Sequence, residues 1–394
     1  MLVGLVGKPN TGKSTFFKAA TLAEVLIADY PFATIKPNHG MGYIKIDCID
    51  KEFGVQCMPR MGFCLNSKRF VPVDLMDVAG LVKGASQGKG LGNQFLDDLR
   101  QADAFIQIVD LSGTTDAEGK KTQGYDPCND LIFLEEELDY WFLGILQKVW
   151  RAFSRSVDMQ HQNAVQAITK QFSGLKIDEE IVKKVLSNVE FGESRLAIWS
   201  EEQLLKFAHE LRILSKPMII AANKCDTSAA QENLKKLKDN FPGKIIIPCS
   251  AEAELALREA ARDGLIEYIP GENDFKVKGN ISEKQQKALE FIKKNILDVF
   301  GSTGVQGILN KTVFELLDYI AIFPAGVGKL ADSKGNILPD CFLLPNGSTA
   351  LDFAFAVHTD LGKNFIKAID AKTKLAVGKE HKLKHRDGIE IITR

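Results

Sequence analysis

The chain has 394 residues, 45% hydrophobic and 26% charged, with 50 Lys+Arg against 51 Asp+Glu and a net charge of -1. That length and composition fit two or three folded domains, and the balanced charge excludes a globally basic nucleic-acid or membrane binder, so any such surface must be local. No apolar run approaches the roughly 20 residues that cross a bilayer as a helix.

The chain opens on an apolar run, Leu2 to Val6, that leads into Gly7-Lys8-Pro9-Asn10-Thr11-Gly12-Lys13-Ser14 and then a helix start at Thr15 to Ala20. This is the G-x-x-x-x-G-K-[ST] phosphate loop in its strand–loop–helix setting. Gly7 and Gly12 let the backbone curl its N–H groups toward phosphate oxygens, and the helix N-terminus adds partial positive charge. Lys13 is expected to reach the β- and γ-phosphates, with the Ser14 hydroxyl on Mg²⁺. A loop at Gly7 leaves no room for a signal peptide, so a cytoplasmic protein is expected.

Residues 29–38 carry two prolines and read as an extended loop. Strands are expected at Met41 to Cys48 and at Phe70 to Val78, the latter ending in Asp77-Val78-Ala79-Gly80. A glycine-rich mobile loop at 81–93 precedes a helix start at Phe95 and a buried strand at Ala104 to Leu111. From 112 to 215 the pattern turns helical: Leu131, Leu134, Leu138, Trp141, Phe142, Ile145 and Val149 form an amphipathic stripe, expected to be core. Further helices are expected near Asp178 to Val189 and from Ser200, where Gln203 completes a capping-box pattern.

The α/β alternation resumes with the strand Pro217 to Ala222, running into Asn223-Lys224-Cys225-Asp226. A helix near Gln231 to Phe241 and a strand at Lys244 to Pro248 follow, closed by Cys249-Ser250-Ala251. Helices near Glu283 to Phe300 and Thr312 to Tyr319 form a connector. From about Ile320 short strands flank a helix at Ala350 to Thr359, with a last turn expected at Asp387-Gly388. Alternation of this kind implies a mainly parallel sheet with ligands at the carboxyl ends of its strands.

These ends assemble one nucleotide site. Lys8, Pro9, Asn10, Thr11, Gly12, Lys13, Ser14 and Thr15 are expected to hold phosphates. Thr34 is expected to meet Mg²⁺ through its hydroxyl and the γ-phosphate through its N–H. Asp77 is expected to hold Mg²⁺ through water, and Gly80 to offer its N–H to the γ-phosphate. Contacts that exist only while that phosphate is present make both loops switches. Asp226 matches two N–H groups of guanine, a pattern adenine lacks, so discrimination is expected to be strong. Lys224 is expected to lie along the base plane, and Ser250 and Ala251 to offer backbone N–H groups to the guanine oxygen.

The seven cysteines, Cys48, Cys57, Cys64, Cys128, Cys225, Cys249 and Cys341, form no CxxC pair, so no zinc site is expected. Cys57 and Cys64 flank a Pro-Arg-Met-Gly turn, which leaves a pairing or metal role for these two open.

The phosphate loop, Tyr-Pro-Phe-Ala-Thr-Ile-Lys-Pro-Asn at 30–38, Asp-Val-Ala-Gly-Leu-Val-Lys-Gly-Ala at 77–85 and Gly-Leu-Gly-Asn-Gln-Phe-Leu at 90–96 together resemble the Obg/YchF-related branch of the TRAFAC-class GTPases. The tail, with Pro-Asn-Gly-Ser-Thr-Ala-Leu-Asp-Phe-Ala-Phe-Ala-Val-His at 345–358, is similar to a TGS domain. The resemblance implies an OBG-type G domain over 1–111 and 216–275, a coiled-coil-like helical insertion over 112–215, a helical connector over 276–319 and a β-grasp TGS domain over 320–394. It also implies association with ribosomes or RNA. One departure matters: YchF proteins proper carry an altered base-reading motif that admits ATP, whereas Asn223-Lys224-Cys225-Asp226 is the ordinary guanine reader. GTP is therefore expected over ATP.

Ras-like GTPases place a water-orienting Gln after the DxxG glycine; here that residue is Leu81, so intrinsic hydrolysis is expected to be slow. Asn10 sits where potassium-stimulated GTPases hold K⁺ near the β/γ-phosphates, an alternative to a purely loop-shaping role. In the tail, Lys363, Lys367, Lys372, Lys374, Lys379, Lys382, Lys384 and Arg386, with His381 and His385, form a basic set suited either to RNA phosphates or to simple solvation. Two alternatives stand beside a GTPase switch: a nucleotide-gated scaffold with incidental hydrolysis, and an ATPase.

Overall fold

The structure, a computed structural model, describes residues 1–22, 39–78, 80, 84, 99–328, 330–332 and 334–394. Thr34, Leu81 and nearly all of the expected loop at 81–93 lie outside them. In chain order, β1 (Leu2–Val6) leads to α1 (Lys13–Thr21). β2 (His39–Asp47), β3 (Phe63–Leu65), β4 (Lys68–Asp77) and β5 (Ala104–Asp110) follow. Then come α2 (Cys128–Met159), α3 (Ala164–Gln171), α4 (Glu179–Asn188), α5 (Glu201–Ser215) and β6 (Met218–Asn223). They are followed by α6 (Ala230–Asn240), β7 (Ile246–Pro248), α7 (Ala251–Arg262), β8 (Ile266–Tyr268), β9 (Phe275–Val277), α8 (Glu283–Ile292) and α9 (Val305–Lys311). The chain closes with β10 (Tyr319–Pro324), β11 (Phe342–Pro345), α10 (Ala350–Val357), α11 (Thr359–Lys363), β12 (Phe365–Asp370), β13 (Ala376–Val377) and β14 (Asp387–Thr393). The described residues form two compact units, one built mainly from Met1–Ala20 and Asp74–Ile308, the other from Met41–Val73 and Leu309–Arg394.

In the first unit β1 lies between β5 and the end of β4, then β6 and β7 follow, all parallel. Every residue of β5 and β6 is buried, as expected when both faces of a parallel sheet are covered. The register sets Leu5 beside Asp77 and Asp110 beside Asn223, so the strands end together along one rim. Between β5 and β6, most of the stripe on α2 is core: Leu131, Leu134, Leu138, Trp141 and Phe142 are buried and Ile145 is half-buried, but Val149, expected in the core, is exposed, and its neighbour Trp150 is buried instead. Trp150 stacks on Trp199 with centroids 5.3 Å apart and is bracketed by Phe172 and Phe207. Asp178 caps α4, and Ser200 with Gln203 forms the capping box of α5.

The connector differs in detail from its expectation. α8 runs on through a π turn at Lys293–Leu297 and stops at Gly301, whose φ is +76°. The second helix begins earlier, at Val305, and relaxes into a π turn at Thr312–Leu316, so that Tyr319 already opens β10.

In the second unit, β3 and β4 form a hairpin whose turn, Asn66-Ser67, has φ of 49° and 59°. Its other sheet has the order β11-β10-β14-β12-β13, with β10 and β14 parallel and the remaining neighbours antiparallel. α10, opened by a Thr349–Asp352 capping box, contributes Ala350 and Phe353 to a core with Ile320, Ile322, Ala368 and Ile389. This mixed sheet with its covering helix is a β-grasp arrangement. The turn expected at Asp387-Gly388 is instead the start of β14, with Asp387 opposite Ile322. Gly388 is there for close approach: a Cβ would come within 3.1 Å of Ile49 Cδ1 and 3.3 Å of Ala325 Cβ.

Long-range polar contacts bind 41–73 to the tail. The buried Arg69 donates to the Leu338 and Pro339 carbonyls at 3.0 and 2.8 Å. Asn310 exchanges two hydrogen bonds with the Lys45 backbone. Arg386 donates to Asp47 O at 2.8 Å and pairs with Glu52, as does Lys372. Two members of the basic tail set are thus committed to Glu52, while Lys363, Lys367, Lys374, Lys382 and Lys384 remain exposed.

Candidate nucleotide-binding site

The phosphate loop curls as its sequence dictates. Gly7 and Gly12 have φ of +147° and +95°. A Cβ on Gly7 would fall 2.6 Å from Ile108 O, and one on Gly12 would fall 2.3 Å from Asn223 Nδ2. Only glycine satisfies both the backbone and the space. Phe16 N donates to Gly12 O at 2.8 Å, which starts α1 on the loop itself. Thr15 lies in that first turn. The Lys13 ammonium, nearly buried, donates to the Lys8 carbonyl at 2.7 Å. Burial pulls its pKa down to about 8, with the Asp77 carboxylate acting against that fall. An anionic ligand beside it would favour the charged form.

Ser14 Oγ donates to Asp77 Oδ2 at 3.0 Å, so the two side chains expected on Mg²⁺ lie together. Burial pushes the Asp77 carboxyl up, while the Ser14 hydrogen bond and the Lys13 charge pull it back. A hydroxyl and a carboxylate oxygen at the end of a strand suit a hard cation that keeps part of its water shell. Gly80 approaches the phosphate loop closely: a Cβ there would lie 2.7 Å from Pro9 N. Thr34, the remaining expected Mg²⁺ contact, lies outside the described residues.

Asn223 is the hub of the base-reading end. Buried to 3% exposure, it donates from Nδ2 to Thr11 O at 2.9 Å and accepts Ala251 N–H at Oδ1 at 3.0 Å. Ser250 caps α7, and its own N–H goes to Thr303 O at 2.9 Å. The Ser250 and Ala251 N–H groups, expected to face a guanine oxygen, therefore hold the fold in this arrangement. Lys224, at φ +62°, donates to Asn10 O at 3.2 Å and pairs with Asp110 Oδ2 at 2.7 Å. Asp226 follows two residues on and is half-buried. A cavity of about 810 Å³ is lined by Asn10, Thr114, Thr115, Gly119, Lys121 and Lys224 among others, within the size range of small-molecule sites.

Two side chains of the loop are engaged within the protein. The Lys8 side chain faces inward: it pairs with Asp130 at 3.0 Å, donates to Thr115 O at 2.8 Å and sits 3.9 Å over the Tyr125 ring. Only its backbone is left to serve phosphate. Asn10 Nδ2 donates to Gly119 O at 2.9 Å, so its amide clamps the loop after β5.

Sequence reading passed over Asp110 and Asp130. Burial pushes Asp110 up, but hydrogen bonds from Lys224, Ser112 and Thr115 outweigh it and leave the carboxyl below its ordinary range. Burial raises Asp130 to about 6 despite Lys8. The signal for Asp110 was present: an acid closing an otherwise apolar, fully buried strand must find partners.

Three family models match in succession. One described as 50S ribosome-binding GTPase covers residues 2–136, one described as Obg-like GTPase YGR210-like, G4 motif-containing domain covers 221–326, and the TGS domain covers 328–393. A GTP-binding protein of Methanocaldococcus jannaschii is 49% identical over 395 residues, covering 100% of this chain and 99% of the relative. The ribosome-binding ATPase YchF of Bacillus subtilis is 28% identical over 385 residues, covering 93% and 87%. The crystal structure of a GTP-binding protein from Pyrococcus horikoshii OT3 superposes with a TM-score of 0.80 at 41% identity over the whole of both chains. The glycine-shaped phosphate loop and the Asn223 bridge thus occur in a chain matched end to end by such proteins, and it belongs to the Obg/YchF-related family of GTP-binding P-loop nucleotide hydrolases.

Proposed function

We propose that this protein is a Mg²⁺-dependent GTPase that hydrolyses GTP slowly and acts as a switch on ribosomes or RNA. The observation that carries the guanine preference is Asn223, which ties Thr11 of the phosphate loop to Ala251 and so fixes the turn bearing Asp226. A carboxylate held there selects two guanine N–H groups, and an adenine would leave it unpaired, at a cost that supports large discrimination. Calorimetric titration with GDP and ADP tests this: GDP should bind at least a hundredfold more tightly. Equal affinities would favour the ATPase reading that the name of the Bacillus subtilis relative carries.

Ser14 and Asp77 would hold the Mg²⁺, with Thr34 completing the set when the γ-phosphate is present. The metal would neutralise charge developing on the phosphoryl oxygens. Lys13 and the loop N–H groups bind and orient the β- and γ-phosphates. Leu81 has no group to orient water, so turnover depends on another donor. Asn10 would meet K⁺ through its side-chain oxygen, its nitrogen being engaged by Gly119. Rates that are equal in KCl and NaCl would remove K⁺ from the scheme.

A model described as 50S ribosome-binding GTPase, a relative named as ribosome-binding, and the exposed lysines of the TGS domain support a ribosomal or RNA partner. Co-sedimentation of the full chain with ribosomes should be stronger in the GTP-bound state and weaken steeply with salt. Single-turnover hydrolysis unchanged by ribosomes would favour the scaffold reading.

A further inference from the structure

The second unit carries a cluster that the nucleotide site does not use. Cys48 follows β2 and caps the helical turn Ile49–Phe53, Asp50 lies in that turn, Cys57 follows it, and Cys64 lies in β3 opposite Arg69. The four ligand atoms, three sulfurs and a carboxylate oxygen, all lie within 4.8 Å of one another. Cys48 Sγ and Cys57 Sγ are 3.5 Å apart, and Cys64 Sγ is 3.8 Å from Asp50 Oδ2. A tetrahedral ion with Zn–S near 2.3 Å sets its ligands about 3.8 Å apart, so these atoms sit close to the edges of such a tetrahedron.

Asp50 is fully buried, and its Oδ1 has no hydrogen-bond partner among the described residues. Its other oxygen accepts Cys57 N–H at 3.2 Å, which aims the carboxylate at the thiols. A buried carboxylate with an orphaned oxygen is costly unless a charge meets it. Arg69, opposite Cys64 in the hairpin, runs alongside, and its Nε also has no hydrogen-bond partner among the described residues. Three thiolates and one carboxylate around a divalent ion carry two excess negative charges, and Arg69 offsets one of them. The 3.5 Å separation of Cys48 and Cys57 is well beyond the roughly 2.05 Å of a disulfide, and all seven cysteines are free thiols.

We propose that Cys48, Asp50, Cys57 and Cys64 form a structural site for a thiophilic divalent cation, with Zn²⁺ its occupant. This reverses the expectation drawn from the absent CxxC pair. The ligands are paired by the β2 turn and the β3–β4 hairpin, not by a short sequence repeat. Thiolate donors select Zn²⁺ over Mg²⁺ or Ca²⁺. The three thiols would bind the ion as thiolates, each losing its proton to solvent, and the ion would fasten the segment 48–64, which contains little regular structure.

The test uses the full chain. After removal of metal under reducing conditions, titration with Co²⁺ should give thiolate-to-cobalt charge-transfer bands that saturate at one ion per chain. Added Zn²⁺ should bleach them. Cys64→Ser should weaken Co²⁺ binding at least tenfold, whereas Cys128→Ser, on α2, should leave it unchanged. Absence of a charge-transfer band in reduced protein would overturn the proposal, and so would a Co²⁺ affinity that Cys64→Ser leaves unchanged. Mass spectrometry showing a stable Cys48–Cys57 disulfide in protein purified with metal present would also overturn it.

Discussion

Replacing Asn223 by Ala removes one side chain that satisfies two buried backbone groups. Thr11 O and Ala251 N–H lose their partners, at residues exposed by 0% and 1%. Each orphaned group costs about 1–3 kcal/mol. The loop can relax enough to recover part of that, so a loss of about 3 kcal/mol is expected. At about 2–4 °C per kcal/mol for a unit of this size, the midpoint should fall by about 6–12 °C. All three tryptophans, Trp141, Trp150 and Trp199, lie in the helical part of the first unit, so tryptophan emission reports that unit during thermal unfolding. GDP at a hundred times its dissociation constant should add about 2.7 kcal/mol to the wild-type protein. At the same GDP concentration the variant should gain much less. Asn223→Asp keeps the acceptor for Ala251 but sets an oxygen against the Thr11 carbonyl, so it should be at least as damaging. A midpoint within about 2 °C of wild type, with GDP stabilisation intact, would refute the bridging role.

Gly304 has φ +85°, and a Cβ there would lie 2.1 Å from Pro248 O, whereas Gly301, at φ +76°, faces open space. Gly304→Ala should therefore cost clearly more in urea unfolding than Gly301→Ala, which carries only the left-handed strain of about 1–2 kcal/mol; equal losses would contradict the packing. Glu254, fully buried, accepts from Arg258 Nε at 2.6 Å and Tyr268 OH at 2.8 Å and meets the Thr303 hydroxyl. Glu254→Ala should destabilise by about 3–5 kcal/mol, with Glu254→Gln recovering part of it in the same assay. Asp110 has its carboxyl pKa lowered on folding, so its contribution is present above the unfolded value of about 3.9 and is lost as pH falls through the lower folded value. Asp110→Asn should flatten the acid limb of the midpoint-against-pH curve below about pH 4, and a limb that keeps its slope would assign acid sensitivity elsewhere.

The phosphate loop, the strand ends and the order of elements were legible because each rests on local chemistry. Gly7 and Gly12 announce positive φ, Ser200 with Gln203 announces a helix start, and the apolar run at 104–111 announces a covered parallel strand. Less was legible where distant groups decide the outcome. Lys8 stands in the motif, yet its side chain turns inward because Asp130 and Tyr125, more than a hundred residues away, supply a charge and a ring face. Gly388 resembles a turn signal, and only the neighbouring Ile49 and Ala325 show that its missing side chain is needed within a strand. The cysteine cluster was hidden for the same reason: no short spacing records that a hairpin returns Cys64 to Cys48. Asp226 is on the expected turn, but its use depends on a ligand that sequence pattern alone does not position.

Outside itself, the segment 41–73 packs in one compact unit with the chain beyond residue 308. Its backbone and its Arg69 side chain bind carbonyls at 337–339, and Lys45 waits for Asn310. During synthesis at about 5–20 residues per second, this early segment emerges roughly ten to fifty seconds before the tail that completes it. For that interval a nascent chain would expose a half-built module, so chaperone demand and codon-rate sensitivity should concentrate on the stretch between them.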